Sequence, residues 1–330
     1  MKIWRAIVTL TVISFLLGCE SEQKAMYERY STRLGNVLDI SLGDMPDTEA
    51  VTLEDTRDLL RSPTAITIGL LDSYSLRKCG LFQLIADKNS ILGKVADPFR
   101  EFDYQVQFIQ QAQRCIEDDS IDIDVAQALQ SALVTKQNEL IDVYLSNVLW
   151  TSQAMRTQLS ASDWLTEADF HHSAATITAL KHFNTTLADT HHQRWQAIKP
   201  IQPEQETLEK QPIVGPLIFS LHNSTVMLNH INRHLQQHFP HVSCGENRDN
   251  TQFRYLTNVL NQQYIDVIQI YSAELNQVFY QVSLHIDFLT EDVMPQVIDL
   301  MHYHQKFHEA NLQHVQLWQS LSKRCGALTQ

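Results

Sequence analysis

No glycine occurs between Gly93 and Gly215, and no Asn-Gly or Asp-Gly pair occurs anywhere in the chain. Tight β-hairpins need positive φ at their turns, which those residues supply at least cost, so a meandering sheet is poorly provided for. The apolar spacing is that of helices instead. Leu217, Leu221, Leu228, Ile231, Leu235 and Phe239 keep one helical face apolar. Phe253, Leu256, Leu260, Tyr264, Val267, Tyr271, Leu275, Val278 and Val282 step by three, four and four, a period suited to a long, nearly straight helix. Thr290 followed by Glu291 and Asp292 reads as an N-cap with an acidic first turn, with Pro295 in the first turns of the last helix. The pattern predicts an all-α fold, a bundle of long antiparallel helices near 22–41, 50–61, 65–95, 99–118, 123–158, 163–197, 214–239, 250–288 and 291–323. One break in composition, Lys199 to Pro216 with its four prolines, is either a domain linker or a loop between layers of one bundle. The preferred arrangement is one helical body with two disulfide-closed lobes.

The first eighteen residues have the parts of an export signal: Lys2 and Arg5, then the mainly apolar run Ala6 to Leu17, then the small Gly18. Twelve helical residues span roughly 18 Å, well short of the ~30 Å hydrocarbon core, so a spanning helix is a poor reading. Leu16-Leu17-Gly18-Cys19 closely resembles the lipobox of bacterial lipoproteins. The resemblance implies cleavage after Gly18, lipid on the Cys19 thiol and amino terminus, and stable anchoring in a bilayer. Glu20 stands where an aspartate would favour retention in the inner membrane, so the resemblance points to the outer membrane, with residues 19–330 as a helical domain facing the periplasm. The formal net charge of −13 sets nucleic acid aside as a partner, because an acidic chain does not attract a polyanion.

Assigning Cys19 to lipid leaves four of the five cysteines, an even number that suggests two disulfides with three possible pairings. Cys79 and Cys115 stand nearly symmetrically about Asp97-Pro98, a natural hairpin turn, and Cys244 and Cys325 bracket two long helical stretches joined near Thr290. The geometry favours Cys79–Cys115 and Cys244–Cys325; four buried free thiols are the alternative. The stretch from Cys79 through Leu84-Ile85-Ala86-Asp87-Lys88-Asn89-Ser90-Ile91-Leu92-Gly93-Lys94, with Cys115 after it, resembles an uncharacterised lipoprotein family of Gram-negative bacteria. That resemblance implies a periplasmic helical domain of unknown function and carries over no catalytic residue and no cofactor.

Candidate chemistry is sparse. His230, His234 and His238 lie four apart on one helix with His241 just beyond, a spacing that lets neighbours clamp a metal ion. No acidic residue falls among them, so the zinc-protease helix with its general base is absent, and a solvated polar face is the plainer reading. Ser-x-x-Lys occurs at both Ser75 and Ser320, without the companion motifs of the penicillin-binding enzymes. Asp87, Lys88, Asn89 and Ser90 interrupt an apolar helix between Ile85 and Leu92. Buried polar residues need partners, so these four either form a register-fixing network or line a ligand pocket or partner surface. The expected function is a non-enzymatic, membrane-anchored module that binds an envelope protein or supports envelope assembly. Two alternatives remain: an envelope hydrolase with a dispersed Asp, Glu and His site, and a metal-binding lipoprotein using His230 to His241.

Overall fold

The computed structural model describes residues 21–64, 66, 69, 74–289 and 298–326. The export segment, Cys19 and the expected cap at Thr290 to Pro295 lie outside them. The main helices among the described residues are α1 (Glu22–Leu38), α2 (Leu81–Asn89), α3 (Pro98–Ile116), α4 (Ile123–Glu139), α5 (Gln153–Leu159), α6 (Glu167–His191), α7 (Val214–His238), α8 (Thr251–Val259), α9 (Gln269–Val282) and α10 (Leu300–Arg324). The expected all-α class is what forms: there is no β-strand among the described residues, only an antiparallel bridge between Val51 and Ala161.

The chain divides into two compact units. The described part of the first is 21–48, 222–274 and 306–326; the second lies within 49–221 and 275–305. Each unit holds one of the two expected disulfides, Cys244–Cys325 in the first and Cys79–Cys115 in the second, with Cα–Cα distances of 5.1 and 5.2 Å. The stretch 199–216 lies inside the second unit, where Ile201 and Leu208 are fully buried.

In the first unit α1 opens on Ser21, whose hydroxyl accepts from the Lys24 amide at 3.3 Å. It packs against α8 and the turn that follows, burying Met26, Tyr27, Tyr30 and Leu34 on one face. Burying each such side chain stabilises the unit by roughly 1.5–3 kcal/mol. The expected straight helix over 250–288 is instead α8, a π-helical segment over Leu260–Ile268, and α9. The burial pattern carries the signature: Leu256, Val259, Tyr264, Ile268, Tyr271 and Leu275 are buried, whereas Leu260 and Val267 are only half-buried. The step of five from Val259 to Tyr264 is the extra residue of the wider turn.

In the second unit the hairpin of α2 and α3 is set by local chemistry. Asp97 accepts from the amides of Phe99 and Arg100 at 3.0 and 3.2 Å, and Pro98 takes the first helical position, where its missing N–H has no partner to lose. α3 then buries Phe99, Phe102, Val106, Ile109 and Ala112, a stripe of threes and fours. The expected helix over 65–95 is cut twice. Gly80, at φ +83, starts α2, and an extended Ser90 ends it while accepting from the Gly93 amide to cap the short turn Ile91–Lys94. The expected helix over 123–158 also breaks, because Ser152 is extended and caps α5 by accepting from the Met155 amide at 3.2 Å. A capping box at Thr166 and Asp169 delays α6 to residue 167, and the expected helix at 50–61 shrinks to Thr56–Leu59.

Candidate functional site

The second unit has a cleft of about 610 Å³ at the side of the α2–α3 hairpin. Residues 101, 104, 105 and 108 of α3 form its floor, since side chains three and four apart share a helical face. Lys88 enters from the last turn of α2, and Lys136 and Tyr144 from α4 and the π-helical segment after it, Leu140–Leu145. In an α-helix, eight residues leave two side chains about 80° apart in angle. The wider π turn closes part of that angle. Here the Lys136 ammonium donates to the Tyr144 hydroxyl at 2.5 Å.

Of the expected Asp87–Ser90 group, Lys88 and Asn89 line the cleft and only Lys88 is half-buried. Asp87, Asn89 and Ser90 are exposed, not buried in a network: α2 ends here, so the three serve its terminus. Asp87 accepts from Gln83 at 2.7 Å, Asn89 donates to the Ile85 carbonyl at 3.0 Å, and Ser90 donates to the Asp87 carbonyl at 2.6 Å. Asn89 also reaches the cleft wall. Lys88 pairs with Glu101 and donates to the Gly93 carbonyl at 3.0 Å. Gly93 is required for this arrangement, since a Cβ there would run into the carbonyl oxygens of Asp87 and Lys88.

Three polar side chains of the cleft escaped the sequence reading. Glu101 accepts from the Gln105 amide nitrogen at 2.7 Å, and Gln105 is 2% exposed. Its Oε1 has no hydrogen-bond partner among the described residues. Lys136 is 9% exposed, and burial lowers its pKa while Glu139 and Glu101 pull it back up. Burial likewise pushes the Tyr104 and Tyr144 hydroxyls up, so both stay protonated at neutral pH. The available signal was a polar residue in an apolar phase: Lys136 continues the buried stripe Leu129, Ala132, Leu133 and Leu140, and Gln105 lies between Phe102 and Ile109.

The four histidines do not assemble into a metal cage. His230 engages the Leu42 carbonyl at 2.8 Å, and its ring lies 5.0 Å from that of His234, whose pKa is lowered by burial and then by its histidine neighbours. His238 is half-buried and His241 exposed. No group of three or more His, Cys, Asp or Glu is placed to hold a metal ion among the described residues. One grouping of acids with a histidine among the described residues is Asp103 near His182, which in turn meets Glu204. Asp103 is committed to structure, accepting from the Ile201 and Gln202 amides at 2.8 and 3.0 Å, and His182 bonds Glu204 at 3.0 Å.

In the first unit the sequence reading also missed a buried polar cluster around His314, which is fully buried. Its Nδ1 bonds Asn232 Oδ1 at 2.6 Å, and its Nε2 meets the Tyr30 hydroxyl at 2.9 Å and the Trp318 indole N–H at 3.0 Å. An indole only donates and an amide oxygen only accepts, so the ring is neutral with its proton on Nδ1. Burial pushes its pKa down to about 3. With both ring nitrogens of His314 satisfied by protein, this cluster reads as a core-fixing network.

Comparison with known proteins adds a family and no activity. The family model described as Protein of unknown function (DUF3080) matches residues 27–328. No curated protein and no solved structure matches the chain.

Proposed function

The chain belongs to this family of unknown function, and we propose from its own residues that it is a lipid-anchored envelope protein whose folded part is a non-enzymatic binding module. The anchor is supported by the charged, then apolar start ending in Leu16-Leu17-Gly18-Cys19, and an outer-membrane, periplasm-facing position by Glu20 after the cysteine. No described helix is long and apolar enough to cross a membrane.

The observation that carries the binding reading is Gln105. A buried amide oxygen without a donor costs about 1–3 kcal/mol of desolvation, so folded chains seldom retain one unless a ligand or water supplies the bond. Gln158, equally buried, shows the usual outcome: it donates to the Leu208 and Gln211 carbonyls and accepts from the Ile213 amide. Gln105 lines a cleft with Lys88 and Lys136, and its buried oxygen is the one such unpartnered atom, among the described residues, that belongs to a residue of the cleft.

The test is a photo-crosslinking side chain at position 89, on the cleft wall, in intact cells. We expect one dominant adduct, a small molecule or an envelope protein, that is lost when Gln105→Leu is added. Absence of any adduct that depends on Gln105, with the protein present at the membrane, would overturn the reading.

A further inference from the structure

We propose that the tip of the α2–α3 hairpin, Ser90 to Ala96, dips into the interfacial layer of a phospholipid bilayer through Ile91, Leu92 and Val95. This contact is separate from the cleft and does not need lipid on Cys19.

Exposure comes first. Ile91, Leu92 and Val95 are 86, 82 and 74% exposed, the highest values of any large apolar side chain among the described residues. Val95 follows Ile91 by four residues and Leu92 by three, so the three share one face of the turn. Exposed apolar patches mark a contact with a partner or a membrane. The hairpin is closed at its other end by Cys79–Cys115, which presents the tip on a fixed support.

Three features select lipid over protein. The first is a backbone that bonds within itself, as a chain entering hydrocarbon requires. The Ser90 hydroxyl donates to the Asp87 carbonyl and accepts from the Gly93 amide. The Ser90 and Leu92 carbonyls accept from the Lys94 and Val95 amides, and the Lys88 ammonium caps the Gly93 carbonyl at 3.0 Å. The second is aliphatic character: residues 90–96 hold no aromatic and no arginine, the types that anchor protein interfaces. The third is charge. Lys94 is the one ionisable residue of 90–96 and is exposed. Behind it Lys88 pairs with Glu101, Arg100 with Asp97, and Asp87 accepts from Gln83. A lysine stem can lie along an apolar layer while its ammonium meets the lipid phosphates.

The purified full chain carries an environment-sensitive fluorescent amino acid at position 92, or at position 123, where Ile123 is 69% exposed, as a control. It is mixed with vesicles of phosphatidylethanolamine and phosphatidylglycerol whose acyl chains are brominated. We expect the bromine to quench the probe at 92 and to leave the probe at 123 bright. Ile91→Ser with Val95→Ser should abolish the quenching at 92 without lowering the melting temperature, because both side chains are exposed. Equal signals at 92 and 123, or quenching that survives the double substitution, overturns the proposal. A probe at 92 that lipid does not quench, but that becomes shielded from a water-soluble quencher as chain concentration rises, also overturns it and assigns the tip to a second copy of the chain.

Discussion

His314 offers a quantitative test of how the first unit is held together. The groups facing it are Tyr30 of α1, Asn232 of α7, Tyr264 of the π-helical segment and Trp318 of α10, none of them a carboxylate that could stabilise an imidazolium. Its ordinary value of 6.5 applies in the unfolded chain and about 3 in the folded one. Between those limits the unfolded state binds a proton that the folded state refuses. The stability tied to this ring is therefore complete above about pH 6.5 and falls as the pH drops toward 3, by about 1.4 kcal/mol per pH unit. At pH 5 the loss is about 2 kcal/mol. His314→Gln removes the titration. At neutral pH it also leaves buried partners short of a bond, at a cost of about 1–3 kcal/mol. Urea unfolding of both proteins near pH 7.5 and pH 5, followed by tryptophan fluorescence, isolates the ring, because the other titrating groups are common to both. The gap in stability should shrink by about 2 kcal/mol at the lower pH. An unchanged gap would mean that folded His314 accepts a proton as readily as the unfolded one, and the picture of a neutral ring locked by four helices would be wrong.

Other outcomes follow from local geometry. Gly93→Ala should destabilise the hairpin end by about 1–3 kcal/mol through overpacking against the Asp87 and Lys88 carbonyls, visible as faster amide exchange over residues 87–94. Replacing Cys79 and Cys115 together by serine should cost about 4 kcal/mol on the loop-entropy view for a 36-residue separation; a melting curve unchanged by the double substitution would count against a closed loop. Cys19→Ser should move the protein from the membrane fraction to the soluble envelope fraction, and continued membrane association would refute anchoring at this residue.

Much of the fold was legible because it is local. The absence of sheet turns, the apolar stripe of α3, the Asp97-Pro98 start and the two cysteine pairings each depend on residues near one another or on simple hairpin symmetry. Ser90 and Ser152 were equally local, but serine caps a helix or sits within one, and the neighbouring packing decides which. The π-helical segments were invisible, since an extra residue in a turn shows only when the buried face is known.

From the residues alone came the helical class, the two cysteine pairings and the Asp97-Pro98 start, whereas Gln105, Lys136 and His314, polar residues on the buried phase of their helices, went unread. What each does depends on what the fold brings to it. The cost of burying a polar group depends on the partner brought to it, and partners such as Tyr30, 284 residues from His314, come from elsewhere in the chain. His314 meets a partner at every polar atom and fixes a core, whereas Lys136 keeps spare donors and Gln105 a buried acceptor without a partner among the described residues.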